Sequence, residues 1–355
     1  MEILDITGVR LVGISACIPQ NIVNNRDACK DLFDKVDTLI KATGINARCI
    51  ADPGTTALDL GACAAQDLLR KTKTIADEIG AVICVTFTPE YLMPADAPSA
   101  QQRLGIPKYS LAFDINMACS GYGYGLYVAA MISKALSKKV LLLNGDIQSA
   151  YVSKKDKATF PVMADIGTAT LIEPIENDQV WEFCFYTNGS GRNALYIPAG
   201  GSKHPIQEKD LQYNIYEDGS KRRNTDIYMD GFEIFRFVAK EVSRFLTEFM
   251  EACDISANSL DAFVPHQANI YMIEQLAKKL KIPRERVWKS GDVYGNPSSA
   301  SIPLTIALCA EEWFKSNRGG RIMMSGFGGG LSISACCLEL PADAVYSITD
   351  YVGER

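Results

Sequence analysis

The chain has 355 residues, of which 47% are hydrophobic and 22% are charged, and this composition excludes a largely disordered protein. Its formal net charge is −6 and it lacks basic runs, which argues against nucleic acid as the main ligand. No apolar run approaches the roughly 18 residues of a membrane-spanning helix, and the N-terminus shows no signal-peptide pattern. Eleven cysteines without a CxxC pair predict reduced thiols in a cytoplasmic protein.

Apolar runs typical of buried strands alternate with helical patterns along most of the chain, which predicts an α/β fold. The predicted strands are 81–87, 110–115, 140–145, 169–175, 180–186, 261–265, 321–327 and 332–340. The predicted helices are 56–71, 121–136, 230–252, 268–280 and 299–315. The segment 187–229 is polar and lacks periodicity, so we expect a surface excursion or cap rather than core.

Short sequences recur in the same order in the two parts of the chain. RLGIP at 103–107, for example, is echoed by KLKIP at 279–283. This order predicts a duplicated fold with halves 1–175 and 176–355. In open α/β sheets, functional residues gather at the carboxyl ends of strands and at helix N-termini, so candidate site residues are expected at those positions.

Cys119 follows one predicted strand and precedes a glycine-rich helix start. A thiol at a helix N-terminus feels the positive end of the helix dipole, so we expect a lowered pKa and a nucleophilic thiolate. Glycines at 121, 123 and 125 leave room for a ligand to approach. The alternative interpretation is an inert buried cysteine, as expected for most of the other ten.

Three further positions complete the candidate set. His266 directly follows a predicted strand, whereas the only other histidine, His204, lies in the polar excursion and is expected to be exposed. Asn296 lies in a Gly-Asn-Pro sequence, which indicates either a plain turn or an amide that donates to a substrate carbonyl. The run SGFGGGLS at 325–332 does not match a dinucleotide-binding pattern, but its glycines allow a backbone N–H to point into a pocket.

The motifs DINMACSG, VPHQAN, GNPSSASIP and GFGGG follow one another in this order. With them, nearly the whole chain resembles the 3-oxoacyl-acyl-carrier-protein synthase III family (beta-ketoacyl synthase III) of the thiolase superfamily. The resemblance implies a thiolase-like duplicated fold, a five-layered αβαβα arrangement with two mixed sheets around buried helices. It also implies a cytoplasmic homodimer.

The same resemblance implies a decarboxylating Claisen condensation in fatty-acid-type biosynthesis. Cys119 would hold the acyl primer, His266 and Asn296 would bind the malonyl thioester, and the backbone N–H groups of Cys119 and Gly329 would form the oxyanion hole. The malonyl group would arrive on acyl-carrier protein, and the product would be a 3-oxoacyl thioester. No metal, nicotinamide or flavin would be required, because coenzyme A or phosphopantetheine thioesters are the substrates.

The chain departs from the family where coenzyme A is expected to bind. Thr38 and Ala42 stand where better-known members carry a Trp and an Arg that clamp the adenine. Lys157 stands where a further basic contact to coenzyme A is expected. The primer donor is therefore either an acyl-carrier protein or a coenzyme A thioester that binds differently.

Two other surfaces are implied by the resemblance. Tyr271 replaces an arginine that docks the acidic carrier protein, while Lys278 and Lys279 retain a basic pair for this contact. Met93 falls where a residue reaches across the dimer to the partner's acyl pocket. A flexible thioether at that position is compatible with a longer or branched primer.

Three alternatives stay open at this point. The chain could be a specialised condensing enzyme of secondary metabolism, or an acyltransferase of the same fold that transfers the acyl group to oxygen or nitrogen. It could be a non-catalytic partner subunit, although such subunits usually lose the nucleophile. Cys119 could also sense peroxide.

Overall fold

A computed structural model describes residues 1–176, 178–315 and 320–353 of the chain. Its strands are β1 (Leu4–Ile6), β2 (Val9–Pro19), β3 (Ile22–Asn24), β4 (Ala47–Cys49), β5 (Ile79–Val85), β6 (Leu111–Ile115), β7 (Lys139–Ile147), β8 (Asp165–Pro174), β9 (Trp181–Thr187), β10 (Leu195–Tyr196), β11 (Asn214–Ile215), β12 (Lys221–Arg222), β13 (Tyr228–Met229), β14 (Ala262–Pro265), β15 (Gly320–Gly328), β16 (Ser332–Leu340) and β17 (Val345–Tyr351). Its α-helices are α1 (Asn25–Ala28), α2 (Val36–Thr43), α3 (Ala57–Thr72), α4 (Asp96–Arg103), α5 (Gly121–Leu136), α6 (Gly231–Phe237), α7 (Ser243–Ala252), α8 (Ile270–Lys279), α9 (Gly291–Tyr294) and α10 (Ser301–Phe314).

Two large mixed sheets organise the described residues. The six-stranded sheet has the order β17-β2-β8-β7-β5-β6, and the five-stranded sheet has the order β1-β9-β16-β15-β14. In the first sheet β5 pairs in parallel with β6 and β7, whereas β8 is antiparallel to β2 and β7. In the second sheet β14 and β15 are parallel and the other pairs are antiparallel.

Helices fill the space between the sheets and cover their outer faces. Both α5 and α10 contact strands of both sheets, so they form the central layer. Helix α3 packs against β2, β7, β8 and β17 on the outer face of the six-stranded sheet. On the outer face of the other sheet, Phe249 of α7 and Leu276 of α8 pack with Phe263 and Met323 in one buried cluster. The layer order is therefore αβαβα.

Strands β2 and β17 were missed by pattern reasoning, and the predicted strand 169–175 begins earlier, at Asp165. β2 is buried but carries polar and glycine residues. Ser15 donates to Oδ2 of Asp67 at 3.0 Å, and a Cβ on Gly13 would lie 2.5 Å from the carbonyl oxygen of Val345. A strand can therefore be buried although it contains a hydrogen-bonded serine and a glycine that lets a neighbouring strand approach closely. Such a strand lacks the continuous apolar run from which buried strands were predicted.

The predicted helix 230–252 is interrupted by a π-helical turn at Val238–Val242. The widened turn leaves the carbonyl of Ala239 available to side chains. The hydroxyl of Ser243 donates to this oxygen at 2.8 Å, and Nζ of Lys279 on α8 also donates to it. The interruption thus ties α7 to α8.

The excursion 187–229 has a small core of its own, so the expectation of a surface segment was wrong for part of it. It folds into the ribbons β10–β13 and β11–β12. The guanidinium of Arg222, a nearly buried residue, lies 3.9 Å from the Tyr216 ring centre and 4.9 Å from that of Tyr228. Cation–π contact and buried Asp226 hold a polar sequence together where apolar periodicity is lacking.

Within the described ranges, no helix is both long and apolar enough to cross a membrane. The division of the chain into halves 1–175 and 176–355 stays a prediction. Residue 177, next to that boundary, lies outside the described residues.

Candidate active site

Cys119 lies in a short 3₁₀ turn, Ala118–Ser120, between β6 and α5. Ala118 adopts a left-handed φ of 44°, which turns the chain sharply from strand to helix. The glycines that follow serve packing, not ligand access as expected from the sequence: a Cβ on Gly121 would lie 2.5 Å from Cγ1 of Val85. The helix start can therefore sit directly against the neighbouring sheets.

The glycine loop after β15 packs against the same cysteine. A Cβ on Gly328 would lie 2.7 Å from Cβ and 3.3 Å from Sγ of Cys119, and one on Gly326 would lie 2.9 Å from its carbonyl oxygen. Gly329, the residue chosen from the sequence, lines the cavity beside Cys119. Sequence reasoning missed Gly328, whose lack of a side chain makes room for the thiol.

A cavity of about 450 Å³ opens beside Cys119, and most of its surface is apolar. Phe87 and Met163 contribute side chains from the six-stranded half. The excursion supplies another part of the wall, from Leu195, Tyr196, Ile197 and Ile227. A cavity of this size and polarity suits an acyl chain.

His266 follows β14, and its backbone N–H donates to the carbonyl of Ser325 at 2.8 Å. Its Nδ1 lies 2.7 Å from Oγ of Ser301, and its ring meets that of Phe327 edge-on with centres 5.5 Å apart. The residue is 2% exposed, and burial lowers the pKa of the imidazole to about 3. At neutral pH the ring is therefore neutral, with one N–H to donate.

Ser298 connects the three predicted site residues, although the sequence did not single it out. Its N–H donates to Oδ1 of Asn296 at 3.0 Å, which leaves the NH₂ end of that amide as a donor. Its Oγ lies 3.8 Å from Sγ of Cys119. Its backbone also stabilises the protonated form of His266. Cys119, His266 and Asn296, distant in sequence, thus gather around one residue.

The expected lowering of the Cys119 pKa was wrong. Burial, together with a smaller contribution from the negative field of Asp146, raises the pKa of this thiol to about 12. The hydroxyl of Ser298 and the backbone N–H of Cys119 oppose this shift without overcoming it. Since desolvation penalises a thiolate strongly, the cysteine is a thiol until a proton acceptor or a ligand intervenes.

The other predicted residues lie away from this cluster. Met93 is 86% exposed. Nζ of Lys157 donates to the carbonyl of Asp218 at 2.8 Å. Lys278 and Lys279 are exposed at the end of α8, and Lys279 borders a surface groove. His204 is half-exposed, and its Nε2 lies 3.1 Å from Oδ2 of Asp210, so it is less exposed than expected.

In the part of the chain that the structure describes, no three His, Cys, Asp or Glu side chains gather into a group that could hold a metal ion. The absence of a cofactor requirement stays a prediction.

Two mixed sheets around buried helices, with a cysteine at the start of the central helix, define a thiolase-like enzyme of the acyl-transferring class. Family models agree: residues 113–189 match "3-Oxoacyl-[acyl-carrier-protein (ACP)] synthase III", and residues 250–340 match its C-terminal model. A beta-ketoacyl-[acyl-carrier-protein] synthase III from Rhodopirellula baltica is 31% identical, over 92% of this chain and 97% of the relative. One from Syntrophomonas wolfei is 31% identical, over 94% and 98%. The chain belongs to the 3-oxoacyl-acyl-carrier-protein synthase III family.

Solved structures confirm the predicted fold. A 3-oxoacyl-(acyl-carrier protein) synthase from Burkholderia xenovorans superimposes with a TM-score of 0.91 at 32% identity, covering 99% of each chain. The priming beta-ketosynthase of a polyketide biosynthetic pathway gives a TM-score of 0.81 at 26% identity, covering 94% of this chain and 96% of the other.

Proposed function

We propose that this protein joins an acyl primer to a malonyl unit by decarboxylating Claisen condensation, with the malonyl unit carried by acyl-carrier protein. The observation that carries the proposal is the gathering of Cys119, His266 and the Asn296 amide around Ser298, beside an apolar cavity. A nucleophile that faces an acyl-sized cavity, next to two hydrogen-bond donors, suits this reaction.

In the priming step, Cys119 sulfur attacks the primer thioester, and the carrier thiol leaves. The backbone N–H groups of Cys119 and Gly329 are proposed to bind the oxyanion of the tetrahedral intermediate. In the condensing step, His266 Nε2–H and the Asn296 NH₂ donate to the malonyl thioester carbonyl. They stabilise the enolate that forms as CO₂ leaves. The enolate carbon attacks the carbonyl of the acyl-cysteine, the C–S bond to Cys119 breaks, and the thiol is regenerated as the 3-oxoacyl thioester leaves.

The neutral state of His266 suits this role. Its Nδ1 lies against the Ser301 hydroxyl, which donates to Nδ1 when the proton is on Nε2. A neutral imidazole can donate its Nε2–H to a carbonyl without a prior change in its protonation state. We propose that the reaction needs no metal, nicotinamide or flavin, because loss of CO₂ drives carbon–carbon bond formation.

The primer donor is proposed to be an acyl-carrier protein rather than coenzyme A. Thr38 and Ala42 are exposed on one face of α2 and offer neither a ring nor a guanidinium to an adenine. Stacking of a base on an aromatic side chain contributes roughly 1–3 kcal/mol, and its loss raises KM about ten-fold or more. Lys157 remains a proposed coenzyme A contact, although a phosphate would have to displace the Asp218 carbonyl from its amine.

A groove of about 590 Å³ is the proposed docking surface for the acidic carrier protein. Arg236, Lys240, Arg244 and Lys279 line it, and we call it the basic groove. Asn188, at its edge, exchanges backbone hydrogen bonds of 2.8 and 3.0 Å with Leu331 of the glycine loop. The basic groove thus adjoins the loop that packs on Cys119. Lys278, which is exposed on α8 next to Lys279, adds to the positive charge beside the basic groove.

The protein is proposed to be a homodimer that pairs along β6. This strand forms the edge of the six-stranded sheet, and its own Leu111 is 47% exposed. Leu92, in the segment that follows the neighbouring strand β5, is 96% exposed. An uncovered edge of this kind favours pairing with a second copy. Met93, 86% exposed, is proposed to reach the partner's acyl cavity. Leu111→Lys should yield a monomer in sedimentation, whereas Val352→Lys, at an exposed apolar residue beside the opposite edge strand β17, should not. A dimeric Leu111→Lys protein would contradict this interface.

A second candidate function is a specialised condensing enzyme or acyltransferase of secondary metabolism. The observation in its favour is the part of the cavity wall that the excursion supplies through Tyr196 and Ile227. Such a wall selects an unusual primer. Acyl transfer to an alcohol or amine without release of CO₂ would establish the acyltransferase. A non-catalytic role would require that Cys119 accept no acyl group.

Intact-mass measurement after incubation with a panel of acyl donors tests the main proposal. A primer-sized mass should appear on the parent protein and not on Cys119→Ala. His266→Ala and Asn296→Ala should still acquire the primer but lose CO₂ release from the malonyl donor by about 10²–10³-fold, the usual effect of removing one such donor. Full acylation of Cys119→Ala, or unchanged condensation in both other variants, would refute the assigned roles.

A further inference from the structure

A buried carboxyl group lies under the site and has no role in the mechanism above. Asp146, near the end of β7, is 0% exposed. Its Oδ1 accepts hydrogen bonds from the backbone N–H of Phe87 at 2.7 Å and from the Thr86 hydroxyl at 3.0 Å. Among the described residues, its Oδ2 has no partner of standard hydrogen-bond geometry. The hydroxyl of Ser298 and the backbone N–H of Ser299 nonetheless stabilise the charged carboxylate, so this oxygen is only weakly engaged in the protein interior.

The Ser298 hydroxyl connects this carboxyl to the nucleophile. Its Oγ lies 3.8 Å from Sγ of Cys119, and the same hydroxyl stabilises the charged form of Asp146, lowering its pKa. Ser298 is held in a left-handed conformation with φ of 51°, and its N–H is bonded to Asn296. A residue kept in this strained conformation points to a fixed task for its side chain.

The priming reaction needs a proton acceptor that the described triad does not supply. The Cys119 thiol keeps its proton at neutral pH, since burial raises its pKa to about 12. His266 is a poor base, because burial lowers its pKa to about 3. Burial raises the pKa of Asp146 to about 7, which lets this carboxyl take up and return a proton under ordinary conditions.

We propose that Asp146 accepts the Cys119 thiol proton through the Ser298 hydroxyl during priming. This inference rests on the proposed role of Cys119 as the acylated residue. As sulfur attacks the primer carbonyl, the thiol proton passes to Oγ of Ser298 and the hydroxyl proton of Ser298 passes to the Asp146 carboxylate. The C–S bond to the carrier then breaks. The proton returns along the same path to the leaving thiolate, so that thiol and thioester exchange without net proton release.

Other titratable groups lie on the elements packed against β7. They are Cys84 on β5, Asp59, Cys63, Asp67, Arg70 and Lys71 on α3, Tyr122, Tyr124, Tyr127 and Lys134 on α5, Asp165 and Glu173 on β8, and Lys139 on β7 itself. The two acids of β8 are differently engaged. Asp165 lies one position from Asp146 in register and accepts from Ser149 and Ala51, whereas Glu173, at the far end of the strand, pairs with Arg10. Asp146 is the acid of this set that bonds the segment lining the acyl cavity.

The test measures the rate at which iodoacetamide alkylates Cys119, followed by peptide mapping, in the parent and in Asp146→Asn. The asparagine keeps an oxygen for Phe87 and Thr86 but presents an NH₂ in place of the second acceptor oxygen. The proposal predicts that Cys119 in Asp146→Asn is alkylated at least ten-fold more slowly than in the parent at pH 7. Above about pH 7 the rate of the parent should level off, whereas the rate of Asp146→Asn should keep rising with pH. Charge repulsion alone predicts the opposite sign, since the field of Asp146 raises the Cys119 pKa.

Two further variants protect the test against misfolding. Ser298→Gly removes the hydroxyl while suiting the left-handed backbone, and should show the same loss as Asp146→Asn. Ser299→Ala is the matched control, because its buried hydroxyl donates instead to the Val85 carbonyl at 3.3 Å, and should behave as the parent. Parent-like or faster alkylation in both Asp146→Asn and Ser298→Gly would overturn the proposal.

Priming with acyl donors is measured in parallel. If no donor acylates the parent at Cys119, the proposed function fails, but the alkylation rates still test the proton transfer from Cys119 through Ser298 to Asp146. If the parent and Asp146→Asn are both acylated, at the same rate across pH 6–9, the proposed proton transfer to Asp146 is refuted while the proposed function stands.

Discussion

Oγ of Ser301 lies 2.7 Å from Nδ1 of His266, on the first turn of α10. This contact sets the orientation of a ring that is otherwise held by packing against Phe327. Ser301 is the first residue of α10, one of the two helices between the sheets. The orientation of the histidine therefore depends on how this helix packs between them.

The first prediction concerns this serine. Ser301→Ala should leave acylation of Cys119 unchanged and slow CO₂ release about ten-fold, since the ring loses the hydrogen bond that fixes its Nε2–H tautomer and a hydrogen bond of this kind contributes about 1–1.5 kcal/mol. Single-turnover assays of the two steps provide the measurement. Ser301→Thr, which keeps the hydroxyl, is the control and should recover much of the rate; equal loss in both steps would indicate general damage instead.

The second prediction concerns the glycine loop. Gly328→Ala should abolish or severely slow acylation, because its Cβ would lie 2.7 Å from Cβ of Cys119. Gly329→Ala is the matched substitution one residue later: its Cβ would lie at ordinary contact distance from Leu195, 3.6 Å from the carbonyl oxygen and 4.0 Å from Cδ2, and the backbone N–H is retained. Intact-mass kinetics compare the two. Equal acylation of Gly328→Ala and the parent would show that the loop is farther from the thiol than the geometry indicates.

The third prediction is a pH dependence. Burial lowers the pKa of His266 to about 3, so the ring stays neutral as the pH falls from 8 to 5, whereas an ordinary histidine would be mostly charged at pH 5. CO₂ release from pre-acylated protein should therefore show no inflection near pH 6.5. The linkage has a definite sign: below pH 6.5 the unfolded chain binds a proton that the folded chain refuses, so His266 lowers the free energy of unfolding as the pH falls towards 3. Urea unfolding at pH 5 checks that the assay reports folded protein.

The fourth prediction concerns the basic groove. Lys240→Glu and Arg244→Glu should each raise KM for carrier-protein donors about ten-fold at low salt, with little change in kcat, because opposite charges steer association. The same variants should use pantetheine thioesters as the parent does. Lys73→Glu, an exposed charge at the end of α3 beyond the other sheet, is the control. An equal effect on both donor types would mean that the groove acts on folding and not on docking.

Much of the architecture follows from local pattern. The runs at 81–87, 140–145 and 321–327 are mostly apolar, which indicates strands buried on both faces, and they account for most of β5, β7 and β15. The motif order around Cys119, His266 and Asn296 likewise indicates the family from the sequence alone. The prediction succeeds at these places because the residues that form each strand or motif are adjacent in the sequence.

The sequence alone did not place the excursion, because its segment 187–229 is held by Arg222 between tyrosine rings and by buried acids, contacts between residues whose types do not indicate burial. Nor did it indicate the proton state of the site. A helix N-terminus suggested a thiolate at Cys119, but burial between two sheets outweighs that field, and burial is a property of the folded chain as a whole. Residue identity and spacing determine which groups are available for chemistry, whereas the packing of the two sheets and the helices between them decides which of these groups carry charge and which hydroxyl connects them.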